Sequence, residues 1–354
     1  MYNEGIMSFL KGSGDFFALD IGTDAVRVVQ LAPAGKGNWN LVKYGYAPVD
    51  SKIATSDSPE DQNRLGQIIM TAVGQSGIKV SDVAVGLPSQ KTFTTVIDLP
   101  IMEEKELRST VKYQIDQYIP ISVEDAKTDW RSLGQSLHDP KQQEVLLTSV
   151  ANNYAESRLE FIESLGFNVI ALEPDTISIV RSLLPAGLPD ARLIVDMGEQ
   201  STDIAITYAE APRLVRTIPV GLSALIKAAV TNLNVQEDQA RQFILKFGLA
   251  PDRLDGQVLK SLDATLDNFT SELTKSIKFF QTRYPNTPVG GILAAGNTAT
   301  VPRFSEYIAA KVGLQVETAN PWQKVRVDQA TQQQLLPIMH EFGAVIGLAQ
   351  RSGM

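Results

Sequence analysis

The stretch "FFALDIGTDAVRVVQL", Phe16 to Leu31, is an apolar run that breaks off to set Asp20, Gly22, Thr23 and Asp24 in one tight cluster, then resumes as Val26, Val28 and Val29. A buried strand has no reason of its own to end in a carboxylate, a glycine and a hydroxyl. The pattern reads as two strands joined by a turn that carries the polar groups. It returns in "RLIVDMGEQSTDIAIT", Arg192 to Thr207, where apolar residues again precede Asp-x-Gly, here Asp196 and Gly198, followed by hydroxyls and β-branched residues. This is an internal duplication at large spacing.

Around the first copy, residues 16–48 read as strands, followed by a polar segment, a helix "NRLGQIIMTAVGQSG" and a strand "DVAVGLP", a β-β-β-α-β unit. From about Lys91 the texture changes to strand "TFTTVIDLP", charged helix "EEKELRSTVKYQIDQYIP", strands "KTDWRSLG" and "QEVLLTSVA", and helix "YAESRLEFIESLG". Strand, helix, strand, strand is a compact inserted module. Its helix opens with acids at the positive end of the helix dipole and stops at Pro120. After the second copy, residues 222–289 are mainly helical, and "GGILAAG" forms a strand that meets a further helix. The closing "PIMHEFGAVIGLAQ" reads as a helix in which Gly343 and Gly347 allow close helix approach.

A length of 354 residues predicts two or more folding units. Hydrophobic content of 44% against 20% charged residues describes a soluble globular protein, with no apolar window long enough to span a bilayer. The start does not read as a signal peptide, which predicts a cytoplasmic location. With no cysteine there are no disulfides, thiol nucleophiles or thiolate metal sites, and two histidines leave little for zinc. His138, in a polar loop, and His340, beside an acid, read as solvated side chains. A net charge of −8 without Lys/Arg clusters argues against nucleic acid as a partner.

Two Asp-x-Gly hairpins facing each other solve one problem, the holding of a polyphosphate and its magnesium between two lobes. Glycine lets the turn backbone approach phosphate oxygens. Thr23, Ser201 and Thr202 would add neutral donors, and Asp20 and Asp196 would hold Mg2+, largely through water. A third small-residue turn, "LAAGNTATVP", is placed to receive nucleobase and sugar.

This three-part pattern resembles the actin, sugar kinase and Hsp70 superfamily, and the inserted module resembles the branch holding the FtsA-like and PilM-like families. The PilM-like family is the closer match, on "MSFLK", "LDIGTDAVRVVQL", "IDLPIMEEKEL", "QYIPIS", "LEPDTISIVR", "VDMGEQSTDIAI" and "FGAVIGLA". The resemblance implies an α/β, actin-like (ribonuclease H-like) two-lobe fold with duplicated β-β-β-α-β-α units. It divides the chain into a first lobe over 1–90, completed by about 171–188 and a C-terminal helix at 335–352, and an inserted strand-helix-strand-strand subdomain at 91–170. A second lobe covers 189–221 and 290–334, with a helical subdomain at 222–289.

It further implies ATP or ADP with Mg2+, held by Asp20, Gly22 and Thr23, by Asp196, Gly198, Ser201 and Thr202, and by Gly296 and Asn297 at the adenosine turn. Glu173 and Asp175 are the nearest candidates to orient an attacking water, although Glu173, before Pro174, would equally serve as a structural acid capping the helix. Two departures stand out. Ala295-Gly296 replaces the Gly-Gly of relatives, and an Ala-Glu-x-x-Lys pattern aligned on Ala240 and Gly248 falls on Arg241 and Ile244. Losing that carboxylate would weaken ribose binding by ~1–3 kcal/mol, which predicts weak nucleotide affinity and slow or absent hydrolysis.

The partner implied is a PilN-like bitopic membrane protein, bound through its cytoplasmic N-terminal peptide, with pilus motor ATPases as further contacts. The chain would act as a scaffold of the type IV pilus inner-membrane complex, peripheral at the cytoplasmic face and without a membrane span. The alternatives are an FtsA-like filament-forming protein and a sugar or acetate kinase.

Overall fold

Runs rich in valine, isoleucine and leucine become the central strands, and chain reversals fall where Gly and Asp interrupt them. A computed structural model describes residues 15–351 of the chain, so the "MSFLK" start lies outside the described residues. In chain order come β1 (Phe17–Ile21), β2 (Ala25–Gly35), β3 (Asn38–Pro48), α1 (Ser51–Thr55), α2 (Pro59–Ser76), β4 (Asp82–Leu87), β5 (Thr92–Pro100), α3 (Glu104–Gln114), β6 (Ala126–Gln135), β7 (Gln142–Ala151), α4 (Asn152–Ser164), β8 (Asn168–Pro174) and α5 (Asp175–Leu183). Next are β9 (Ala191–Met197), β10 (Thr202–Tyr208), β11 (Ala211–Ile218), α6 (Leu222–Leu233), α7 (Glu237–Phe247), α8 (Gln257–Arg283), β12 (Val289–Gly296), α9 (Phe304–Val312), β13 (Val316–Thr318), β14 (Val325–Arg326), α10 (Gln329–Leu335) and α11 (Gly343–Ala349). Among the described residues no helix is long and apolar enough to cross a membrane.

The described residues divide into two units, one formed by 15–182, 324–332 and 344–351, the other by 183–323 and 333–343. The first is built on a six-stranded sheet of order β14-β3-β2-β1-β4-β8, the second on a five-stranded sheet of order β11-β10-β9-β12-β13. In the first, β1 pairs antiparallel with β2 and β2 with β3, while β1 pairs parallel with β4 and β4 with β8. In the second, β9–β10 and β10–β11 are antiparallel, and β9–β12 and β12–β13 parallel. Strand order and direction therefore repeat, so the duplicated motif belongs to a duplicated sheet.

Phe17, Leu19, Val26, Val28, Val83 and Val85 are buried in the core of the first sheet. Helix α2 is set by its ends: Ser58 accepts from Asp61 N–H at 3.2 Å, Pro59 opens the first turn, and Gly77 at φ 73 closes the last. The inserted module forms a separate three-stranded sheet, β5-β7-β6, over which α3 buries Leu107 and Val111 against Ile97, Val145 and Leu147. Helix α4 lies within the span 91–170 read from the sequence as the inserted subdomain, yet it buries Ala155 and Ile162 in the core of the six-stranded sheet. His138, read from the sequence as a solvated side chain, is exposed, and it lies beside Asp98, Ser136 and Glu144. In the second unit α8 buries one face, Leu262, Leu266, Phe269, Leu273 and Phe280, and Trp322 packs on Phe342 at 5.4 Å.

At Gly347 a side chain would overlap the Ser178 carbonyl of α5, whereas at Gly343 the nearest atom, Asp196 Oδ2, lies 3.7 Å from a Cβ. Gly347→Ala is expected to lower stability to urea by about 1–3 kcal/mol, while Gly343→Ala stays within about 0.5 kcal/mol of the parent. Equal effects of the two substitutions would contradict this packing.

Candidate functional site

The first hairpin closes when Gly22 N–H donates to the Ala25 carbonyl at 3.0 Å. Asp20 on β1 stands directly across from Arg27 on β2, and both are buried. The guanidinium lies 3.3 Å from Asp20 Oδ2 and 2.9 Å from Asp24 Oδ2, and donates to the Ala25 carbonyl at 3.2 Å. A Cβ on Gly22 would sit 2.6 Å from Arg27 Nη1, so glycine is needed for this cation to reach the turn. Thr23 is half-buried in the same turn. Arg27 is the residue the sequence reading missed. Its signal is a charge inside an otherwise apolar strand, seven residues after Asp20.

The second hairpin closes in the same way, with Gly198 N–H donating to the Ser201 carbonyl at 2.8 Å. Helix α6 starts on this turn: Leu222 N–H donates to the Gly198 carbonyl at 3.1 Å and Ser223 N–H to that of Glu199 at 2.9 Å. Gly221 permits the contact, since a Cβ there would lie 2.5 Å from the Glu199 oxygen. The position matching Arg27 is now an acid, for Asp196 stands directly across from Asp203. Thr217 Oγ1 donates to Asp203 Oδ1 at 2.7 Å. Like charges in direct register are destabilising, and a divalent cation with oxygen ligands is the group this pair fits. Asp203 is the second residue the sequence reading missed.

Hydroxyls divide by where the strand alternation turns them. Thr202 is fully buried and donates to the Val220 carbonyl at 2.6 Å, while Ser201 stays half-buried in the turn. Gly296, at φ 62, ends β12 beside β9, where a Cβ would come within 2.5 Å of Asp196 Oδ1. Asn297 opens the next turn, its carbonyl accepting from Thr300 N–H at 3.1 Å. Arg241 of α7 pairs with Glu199 Oε1 at 2.5 Å, so the residue at the expected ribose position is tied to the second hairpin. Ile244 is fully buried among the helices, on the packing face of α7.

Glu173 ends β8 almost fully buried. Its Oε1 accepts from Ser178 Oγ at 2.5 Å and Arg181 Nη1 at 2.7 Å, and its Oε2 from Arg181 Nη2 at 3.0 Å and Arg351 Nη1 at 2.6 Å. Burial pushes the carboxyl up, but the two guanidiniums and the hydroxyl outweigh it and hold Glu173 below the ordinary glutamate range. Arg181 also donates to the Gly347 carbonyl at 2.7 Å, tying α5 to α11. Asp175 starts α5 against Gly86 of β4, where no side chain other than hydrogen fits. The structure thus places Glu173 in a closed ion cage and Asp175 at the mouth of the adjoining strand.

A model of the family described as type IV pilus assembly protein PilM matches residues 18–353. Among solved structures, the chain is similar to the PilM-PilN type IV pilus biogenesis complex at 20% identity and a TM-score of 0.82, covering 97% of this chain and 100% of that one. It is similar to ethanolamine utilization protein EutJ from Carboxydothermus hydrogenoformans at 14% identity, TM-score 0.55, covering 98% and 93%. It is also similar to MreB5 of Spiroplasma citri bound to ADP at 13% identity, TM-score 0.54, covering 95% of each chain. The fold is the actin-like α/β fold.

Glu173→Gln leaves Arg181 and Arg351 without their carboxylate. The expected cost is about 3 kcal/mol at neutral pH, the lower end for a buried pair because Arg181 keeps 28% of its side chain exposed. Because the folded pKa lies below the unfolded one, this advantage is complete above the ordinary glutamate pKa of about 4.3 and is lost as pH falls through the folded value. Unfolding curves of parent and variant therefore converge on acidification; a constant gap contradicts the cage.

Proposed function

The chain belongs to the family of type IV pilus assembly protein PilM, and on that premise we propose that it is an adenine-nucleotide-binding scaffold of the pilus inner-membrane complex that docks the cytoplasmic N-terminal peptide of a PilN-like membrane protein. The observation that carries the nucleotide half is the matched pair of glycine-closed hairpins on two sheets of one topology. Arg27, positioned by Asp20 and Asp24, is the cation for phosphate, with Gly22 and Thr23 beside it. Asp196 and Asp203, with Gly198 and Ser201 in the turn, are the pair for Mg2+, and Gly296 with Asn297 forms the turn for the nucleoside. Bound magnesium would neutralise phosphate charge there. An actin-like relative bound to ADP supports adenine as the base.

Hydrolysis is slow or absent on this reading. A glutamate that already accepts four hydrogen bonds has no lone pair directed at a water, so Glu173 braces α5 and α11 while Asp175 is the remaining acid. For the partner, the PilM-PilN complex supports a PilN-like protein, and β5 is an edge of the three-stranded sheet, open to an added strand in the region of Phe93 to Leu99. A chain docked in this way sits at the cytoplasmic face of the membrane through its partner.

Calorimetric titration with ATP and Mg2+ tests the nucleotide half. Binding is expected for the parent and weakened at least about tenfold, or about 1.4 kcal/mol, in Asp196→Ala and Arg27→Ala; a parent that gives no binding rejects it. Anisotropy of a labelled N-terminal peptide of the PilN-like protein tests docking separately. Binding is expected to be lost when a proline at Thr95 disrupts the β5 edge and kept in Asp196→Ala.

A further inference from the structure

Far along the inserted module, strand register sets two carboxylates side by side. Asp98 on β5 pairs directly with Glu144 on β7, and Glu144 is fully buried. Across the other edge of β7, the β6 ladder shifts register between Ser132 and Gly134, and Gly134 takes φ 85. Such a bulge bends its strand and re-aims the chain beyond it. Here that chain is the loop Ser136 to Lys141, which returns over the acids and is held shut by its own backbone: Ser136 N–H donates to the Gln142 carbonyl at 2.9 Å, and Gln142 N–H to that of Asp139 at 3.1 Å.

The loop delivers one imidazole and one hydroxyl to the pair. His138 Nε2 lies 3.5 Å from Asp98 Oδ2, and its Nδ1 3.7 Å from Glu144 Oε1. Ser136 Oγ is within 3.2 Å of His138 Nδ1, 3.3 Å of Asp98 Oδ1 and 3.5 Å of Glu144 Oε1. The nitrogen–oxygen distances exceed those of a good hydrogen bond. One donor atom from each of Asp98, His138 and Glu144 falls within 4.8 Å of the others, around a common centre. Ligands at about 2.0–2.2 Å from a metal need only a small inward rotation of these side chains.

We propose that Asp98, His138 and Glu144 bind a divalent transition-metal ion of the zinc class and so clip the β6–β7 loop onto β5. The donor set decides the ion: one imidazole and two carboxylates suit zinc, whereas magnesium and calcium take oxygen ligands. A dication would place positive charge between the two carboxylates that the strand register sets side by side. Glu144 forms the closed floor, and Asp98 and His138, with 23% and 30% of their side chains exposed, form the entry. Ser136 and water complete the shell. The clip joins segments of the module that are distant in sequence, so it stabilises the folded module against its open chain.

The sequence itself makes the test clean, because the chain has no cysteine and only one other histidine, His340. Full-length protein freed of metal with EDTA is titrated with ZnCl2 by calorimetry, and with Co2+ for its visible absorption. One equivalent is expected to bind at micromolar or lower Kd, to raise the melting temperature, and to give d–d bands of a nitrogen–oxygen site. His138→Ala, at an exposed loop position, should keep the parent's circular dichroism yet weaken zinc binding at least about a hundredfold and abolish the cobalt bands. Asp98→Asn should weaken binding about tenfold or more. His340→Ala should leave both readouts unchanged, which separates this site from the other histidine. Absence of stoichiometric binding to the parent, or binding unaltered by His138→Ala, overturns the proposal.

Discussion

The structure depends on a turn constraint used twice: a glycine N–H that closes on the carbonyl three residues ahead, at 3.0 Å from Gly22 and 2.8 Å from Gly198. So tight a closure leaves no room for a side chain at Gly22, where a Cβ would meet the Arg27 guanidinium. It also locks the register of the strands on either side, because slipping by one residue would turn Val26 and Val28 of β2 away from the core they pack in. Once register is locked, the residue seven places after the aspartate must stand across from it. Identity at that one position then sets the electrostatics of each hairpin.

The two hairpins share a topology and differ in charge. Asp20 meets Arg27, a pair that satisfies itself inside a low-dielectric setting, with Asp24 as a second carboxylate on the same guanidinium. Asp196 meets Asp203, a pair that concentrates negative charge.

How far the molecule was legible in its sequence depends on the range over which each feature acts. The Asp-x-Gly turns and the succession of strands and helices around them are written in local periodicity and turn chemistry. Arg27 and Asp203 were visible as residues but not as partners, because pairing across a hairpin needs the register and not only the strands. The direction of the Thr202 hydroxyl has the same cause. Glu173 was harder: Arg351 lies 178 residues away, and no local pattern announces that contact. Helix α4 shows the limit of periodicity, which identifies an amphipathic helix without saying which sheet takes its apolar face. Burial of Ile162 in the six-stranded sheet is decided by the path of the chain after β7.

The Glu173 cage holds a carboxylate that serves the frame of the first unit. A carboxylate held by two guanidiniums and a hydroxyl is stabilised in its ionised form and fixed in position, the reverse of a base poised to take a proton. Its hydrogen bonds run instead to the frame: Arg181 bridges from Glu173 to the Gly347 carbonyl, and Gly347 is where α11 meets α5 without a side chain between them. Moving Glu173 toward a substrate would therefore loosen a helix contact as well as expose two cations. That coupling ties the end of β8 to α5 and α11.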